Sequence, residues 1–508
     1  MAAPLRHALR LLAWAAVALI YLPLLPAAAL MALPALRRAR WLSLFADPQF
    51  CQALAATLVL SVGGALIITL TVVAALWPSG GWRRLAARLP LLLAVPHVAF
   101  ATAALLLFAD GGWLSRLLPF FTPPVDRYGI GLGLTMALKE SAFLLWVVYG
   151  LLGEKRLAGQ ATVLKSLGYG RWQCLKWLVL PTLLPALSIA LLATAAWSLS
   201  AVDVALVIGP GNPPTLAVLA WQWLSQGDEI QQAKGALASL VLLLTLAIMA
   251  LAAWGVWRLW RRRIPQVQGI RRPQPRALAG KSFALLLPLC GVACALLLAA
   301  AAQNSQPVSD SVGNSLWLGL CSASLGAVIC LLWLASGPSR FDGWIWLPLI
   351  LPALPLVDGQ YQLALYTWLD GEWVAVLWGH LLWVVPWMLF ILRPAWRARD
   401  PRMELLARTL GWQQGRIFWL VTLPALTRPL LTALAVGFSV SIAQYLPTLW
   451  LGGGRFPTLT SEAVALSSGG ETSTLAAQAL WQLLLPALFF AATALLAWLT
   501  GRYRQGLR

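Results

Sequence analysis

The sequence predicts an all-α polytopic membrane protein of twelve transmembrane helices, arranged as two parallel six-helix halves. Three observations lead there. The 508-residue chain is 60% hydrophobic and 11% charged, which is too little polar surface for a soluble protein of that size. Twelve apolar stretches are each long enough to cross about 30 Å of hydrocarbon. Short matching segments then recur in both halves of the chain.

In the first half the apolar stretches are 11–33, 54–76, 89–108, 130–152, 183–208 and 236–256. In the second they are 283–302, 316–334, 344–369, 373–392, 429–451 and 476–499, the third of these interrupted by prolines and polar residues. The amino terminus resembles a signal peptide, with Arg10 ahead of an apolar run and Ala27-Ala28-Ala29 inside it. Because the run exceeds a usual signal core and further spans follow, an uncleaved first helix is expected.

The net charge of +20 is a topology signal rather than a nucleic-acid surface, because lysine and arginine border the apolar runs. They crowd the even-numbered loops: Arg83, Arg84 and Arg88; Lys155, Arg156, Lys165 and Arg171; Arg258, Arg261 and Arg271; Arg393, Arg397, Arg399 and Arg402. Cytoplasmic placement of those loops puts both termini in the cytoplasm. Only the loop after the first helix, with Arg37, Arg38 and Arg40, runs against this. The cysteines, Cys51, Cys174, Cys290, Cys294, Cys321 and Cys330, form no Cys-x-x-Cys pair and neighbour no histidine. They are expected to be packing residues, without metal or disulfide.

A Pro-, Gln- and Arg-rich connector, 257–281, separates a first six-helix domain, 1–256, from a second, 282–508. Leu144-Leu145-Trp146-Val147-Val148 recurs as Leu381-Leu382-Trp383-Val384-Val385. Parallel repeats of this kind fit a two-fold axis along the membrane normal, with a solute path between the halves.

The most informative segment follows the fourth span of each half. The first reads Gln160-Ala161-Thr162-Val163-Leu164-Lys165-Ser166-Leu167-Gly168 and closes at Leu180-Pro181. The second reads Met403-Glu404-Leu405-Leu406-Ala407-Arg408-Thr409-Leu410-Gly411 and closes at Leu423-Pro424. The interval from glycine to proline is the same in both. Glycine suits the left-handed turn that ends a helix, and proline suits the start of the next. Taken alone, such segments also fit ordinary interfacial amphipathic helices.

The paired loops resemble the Glu-Ala-Ala loop of binding-protein-dependent ABC importer permeases, and at finer grain the chain is similar to the YnjC-type fused permeases, kin to those for thiamine and ferric iron. Gly168, Gly411, Leu180-Pro181 and Leu423-Pro424 keep the pattern. Thr162-Val163-Leu164 and Leu405-Leu406-Ala407 replace its Glu-Ala-Ala, with Glu404 one place ahead, and Leu178 and Val421 replace its isoleucine. The resemblance implies two MetI-like permease repeats in a bacterial inner membrane. It implies coupling to ATP hydrolysis through Leu164, Leu167, Gly168, Leu180 and Pro181 in one loop, and Glu404, Ala407, Leu410, Gly411, Leu423 and Pro424 in the other. It further implies partners: two copies of a cytoplasmic ABC ATPase, which bind the ATP and Mg, and a periplasmic solute-binding protein. The chain itself is then not an enzyme and binds no cofactor. Gly280-Lys281-Ser282 mimics the end of a phosphate-binding loop, but Pro275 stands where that loop needs glycine and no strand precedes it.

Ionisable groups inside spans are costly and mark cavities or partners. Lys139, Glu140, Asp203, Asp358, Gln444 and Tyr445 stand out. The same resemblance runs the fifth span of each half along the path, and Trp197-Ser198-Leu199-Ser200 is similar to Phe438-Ser439-Val440-Ser441. Candidate path residues are therefore Glu140, Ser198, Ser200, Asp203, Ser439, Ser441 and Gln444, with the two carboxylates favouring a cationic solute. Against this stands packing, in which serines seat helices and charges pair internally. A proton-coupled secondary transporter of 6+6 topology is the alternative function, and a membrane-embedded enzyme a more distant one.

Overall fold

A computed structural model describes residues 3–502, apart from 58–59, 78, 110, 119, 121–127, 153–154, 263–270, 272–277, 304, 339–340 and 470. Much of the connector, Pro275 included, thus lies outside the described residues. All regular structure among the described residues is helical, as it must be where lipid offers the backbone no hydrogen bonds.

The first half opens with α1 (Ala3–Tyr21), α2 (Leu24–Ala35) and α3 (Arg38–Phe45). Next, α4 (Phe50–Thr57) and α5 (Leu60–Leu76) make one span, followed by an amphipathic α6 (Gly80–Arg88). The third expected span is a short α7 (Pro90–Leu93) and a longer α8 (His97–Phe108), then α9 (Trp113–Leu117). The fourth is α10 (Ile130–Leu151). Beyond it come α11 (Lys155–Ser166), α12 (Arg171–Cys174), a π-helical turn over Leu175–Val179, α13 (Leu180–Leu199), α14 (Val202–Ile208), α15 (Leu216–Leu224) and the long α16 (Glu229–Arg262). Arg40 pairs with Glu229 at the start of α16 at 2.6 Å, so one of the out-of-place arginines has a counter-ion.

The second half repeats the plan with α17 (Leu278–Ala302), α18 (Ser309–Ser336), α19 (Asp342–Ile345), α20 (Leu347–Ile350), α21 (Ala353–Tyr366) and α22 (Trp373–Arg397). It continues with α23 (Pro401–Thr409), α24 (Gln414–Ile417), a π-helical turn over Phe418–Thr422, α25 (Leu423–Ala425), α26 (Thr427–Ile442), α27 (Leu446–Gly452), α28 (Leu459–Ser467) and α29 (Thr472–Arg502). Gly168 and Gly411, Leu180 and Leu423, and Leu216 and Leu459 are separated by one constant interval. That register sets Ser198 opposite Ser441 and Ser200 opposite Ala443. It corrects the sequence pairing of Trp197–Ser200 with Phe438–Ser441, which had matched similar letters rather than equivalent places.

Among the described residues, nine helices are long and apolar enough to cross a membrane, or eleven spans if two bent pairs each count as one. The segment that separates this from the expected twelve is 344–369, which forms α19, α20 and α21 instead of one long helix. A residue before proline is driven out of the helical region: Leu351, before Pro352, has φ −92° and ψ 147°. Pro96 interrupts 89–108 as the extended N-cap of α8, with its own ψ at 152°.

Each half lends its first helix to the other. α1 packs on α18 and α22, and α17 packs on α5, α7 and α8. Trp14 meets Trp333 and Phe341 edge-on at 5.4 and 5.0 Å, and the Tyr21 hydroxyl donates to the Ile345 carbonyl at 2.8 Å. On α17, Gly280 lies so close to the Thr71 carbonyl of α5 that a side chain has no room there.

Candidate functional site: the paired loops and the seam between the halves

Both loops end their first helix identically. Gly168 has φ +89° and Gly411 +76°, the left-handed region that costs glycine nothing. Gly168 N–H donates to the Lys165 carbonyl at 2.9 Å and Tyr169 N–H to that of Leu164 at 3.1 Å. Gly411 and Trp412 repeat this onto Arg408 and Ala407 at 3.0 and 3.1 Å. Leu164 and Ala407 therefore occupy one structural position, as do Leu167 and Leu410. The first pair turns inward and the second faces out, at 50% and 66% exposed. Val163, Met403, Leu405 and Leu406 are exposed beside them.

The Leu-Pro pairs end the π-helical turns. Leu180 and Leu423 donate to carbonyls five residues back, those of Leu175 and Phe418, and the next residue, proline, has no N–H with which to resume the tighter ladder. Beyond them the chain bends by 72° in the first half and 73° in the second. The segment ahead of each bend, 171–184 and 414–425, therefore meets the rest of the fifth helix at nearly the same angle in both halves.

The two loops are fastened differently. In the second, a Glu404 carboxylate oxygen accepts from Arg399 Nη1 and, at 3.0 Å, from the Thr422 hydroxyl. Arg399 also lies 3.7 Å over the Trp396 ring and donates to the Trp396 carbonyl. Burial draws the Arg399 guanidinium below its ordinary range, against the opposing pull of Glu404. In the first loop, Lys165 donates to the Trp77 carbonyl at 3.3 Å and Arg171 to that of Ala75, cations at the carboxyl end of α5 where carbonyls lack partners.

Four helix breaks meet on the seam between the halves: α7/α8, α13/α14, α20/α21 and α26/α27. His97 at the start of α8 bonds Glu140 at 2.7 Å and lies 4.0 Å from the Trp197 ring near the end of α13. The Ser200 hydroxyl accepts from Ala353 N–H at 3.1 Å, capping α21 of one half with a side chain of the other. Leu199, Val202, Leu354, Tyr445 and Leu446 share one apolar cluster. Asp203 is buried in the first turn of α14. Among the described residues, the Ser198 hydroxyl and Gln444 Oε1 are buried without hydrogen-bond partners.

Several other candidate groups are hydrogen-bonded within the protein. Lys139 donates to the Leu92 and Leu93 carbonyls at 2.6 and 3.2 Å, closing the end of α7. Ser439 donates to Ala435 of its own helix. His380 joins Ser441 and Thr448 at 2.7 and 2.9 Å, bridging the α26/α27 break, and Gln444 Nε2 donates to the His380 carbonyl. Asp358 is buried in α21. The His97–Glu140 pair and the Arg399–Glu404–Thr422 cluster join groups from different helices, and no spacing rule connects them. A lone histidine near a helix end and a mid-span acid were the sole sign of the first. Among the described residues no group of three His, Cys, Asp or Glu side chains is placed to hold a metal.

Residues 282–504 match the family described as "Binding-protein-dependent transport system inner membrane component". Over 511 residues the chain is 61% identical to the inner membrane ABC transporter permease protein YnjC of Escherichia coli (strain K12), covering 100% of both chains. The chain belongs to the binding-protein-dependent ABC transporter permeases. This permease is also similar to the molybdenum transport system permease protein ModB of Haemophilus influenzae, at 28% identity over 162 residues, 28% of this chain and 67% of ModB. The permease is thus a multi-pass inner-membrane component of a transport family rather than an enzymatic one, and of the ABC type rather than a secondary transporter. Its family works with ATPase and binding-protein partners.

Proposed function

We propose that this permease forms the whole solute path of an ATP-driven importer and receives ATP energy through its two loops. Two copies of a cytoplasmic ABC ATPase, holding the ATP and Mg, dock on α11 and α23. A periplasmic binding protein delivers the solute at the opposite face, and both termini are cytoplasmic. The observation that carries this is the pair of loops: glycine caps of one geometry, bends of 72° and 73°, and outward-facing Val163, Leu167, Leu405, Leu406 and Leu410. An apolar face of this kind on a short rigid helix suits a groove in a partner.

The solute passes along the seam, where the fifth helices break. Ser198, Ser200 and Asp203 on one side and Ser439, Ser441 and Gln444 on the other border it, with Glu140 held beside it by His97. Broken helices at a repeat interface are where such paths lie. A photo-crosslinking residue placed at Leu406, and separately at Val163, tests the docking. The expected product is a crosslink to a subunit that mass spectrometry identifies as an ABC ATPase, absent when the probe sits at lipid-facing Leu289. Crosslinks to lipid alone from both loop positions contradict it.

A further inference from the structure

We infer that Glu404 is a positioning residue that clasps the second loop to the fifth helix, so that the two loops transmit motion unequally. This rests on the proposed docking of an ATPase at both loops. Glu404 stands in the first turn of α23, and a single carboxylate oxygen is shared between two flanking segments. Arg399 reaches it from the end of α22, with its guanidinium stacked on Trp396, and Thr422 reaches it from the π-helical turn that leads into α26. Hydrogen bonds with an ionised partner are the strong class, and here they join the fourth helix, α23 and the fifth helix at one point. Asp400 adds a cap to the same turn by accepting from Arg402 N–H at 2.9 Å.

The first loop has no carboxylate at the equivalent place. In the register fixed by Gly168 and Gly411, Ala161 and Val179 stand where Glu404 and Thr422 do, and both are buried apolar residues. Among its polar fastenings, Lys165 and Arg171 reach the end of α5, a different helix. A push on α23 therefore moves α22 and α26 as one piece. A push on α11 is shared with α5, and at the places that correspond to Glu404 and Thr422 it passes toward α13 by apolar packing.

The test uses the full permease copurified with its ATPase in nanodiscs, with hydrogen exchange followed by mass spectrometry before and after trapping with ATP and vanadate. In the native protein, trapping changes exchange in 401–411 and in 427–442 together. With Glu404→Ala the change in 401–411 persists and that in 427–442 falls by about threefold or more. Glu404→Gln, which keeps an acceptor for Thr422, and Thr422→Val give smaller losses, and the double change Arg399→Glu with Glu404→Arg restores the response. The response of 180–199 is unaltered in all of them. A native-like response at 427–442 in Glu404→Ala, or equal losses at 180–199 and 427–442, overturns the clasp. A native complex in which trapping alters neither loop overturns the docking itself, and the clasp with it.

Discussion

At the scale of single residues, Gly168 and Gly411 carry the same turn in different surroundings. An added Cβ on Gly411 meets nothing within 4 Å, whereas on Gly168 it would lie 3.1 Å from the Arg271 side chain of the connector. Gly411→Ala therefore bears only the left-handed strain, about 1 kcal/mol, and Gly168→Ala bears that plus displacement of Arg271. Thermal unfolding in detergent should rank Gly168→Ala below Gly411→Ala, and the reverse order would show that Arg271 does not matter to the turn. Both glycines were legible in the sequence because left-handed backbone is a local demand. Glu404 was visible only as a displaced acid of the family motif. Its partners lie on segments whose approach depends on the whole loop, so spacing alone did not reveal the clasp.

At the scale of elements, proline decides where helices stop. Among the described residues apolar length forecast nine of the spans, or eleven with each bent pair counted as one, yet 344–369 is divided by Pro352, and α21 begins at Ala353 in the interior. Length measures the cost of leaving water, while continuity depends on each backbone N–H, so hydropathy misses the break. The interior start of α21 needs an acceptor, and Ser200 supplies it from the opposite half. Ser200→Ala should lower stability by about 1 kcal/mol, whereas Ser200→Thr keeps the hydroxyl and most of the stability. Equal melting temperatures for Ser200→Ala and the native protein would mean that the cap contributes nothing. Ser200 was expected on the path for its small hydroxyl, and in the structure that hydroxyl caps α21.

At the scale of the whole molecule, the two halves are repeats with exchanged first helices, α1 on the second half and α17 on the first. Recurring letters pointed to a duplication but gave no sign of the exchange, since sequence order says nothing of which lipid-facing side a helix covers. The seam was half legible. Its acids and hydroxyls were visible as costly groups in apolar runs, but His97–Glu140 and His380–Ser441 show that several are paired across helices. Because Leu405, Leu406 and Leu410 leave an apolar face uncovered, Leu406→Glu with Leu410→Glu should lower the amount of ATPase bound without altering membrane insertion. Full retention of the ATPase by that variant would place its docking elsewhere.

The central claim is that two glycine-capped loops receive an ATPase, and copurification from native membranes tests it most directly. The tagged native chain is compared with the double change Gly168→Pro and Gly411→Pro, with insertion checked by protease protection. Recovery of two ATPase copies per native permease, lost in the inserted double variant, is the predicted result. An ATPase held equally by both proteins, or recovered with neither under gentle solubilisation, would contradict it.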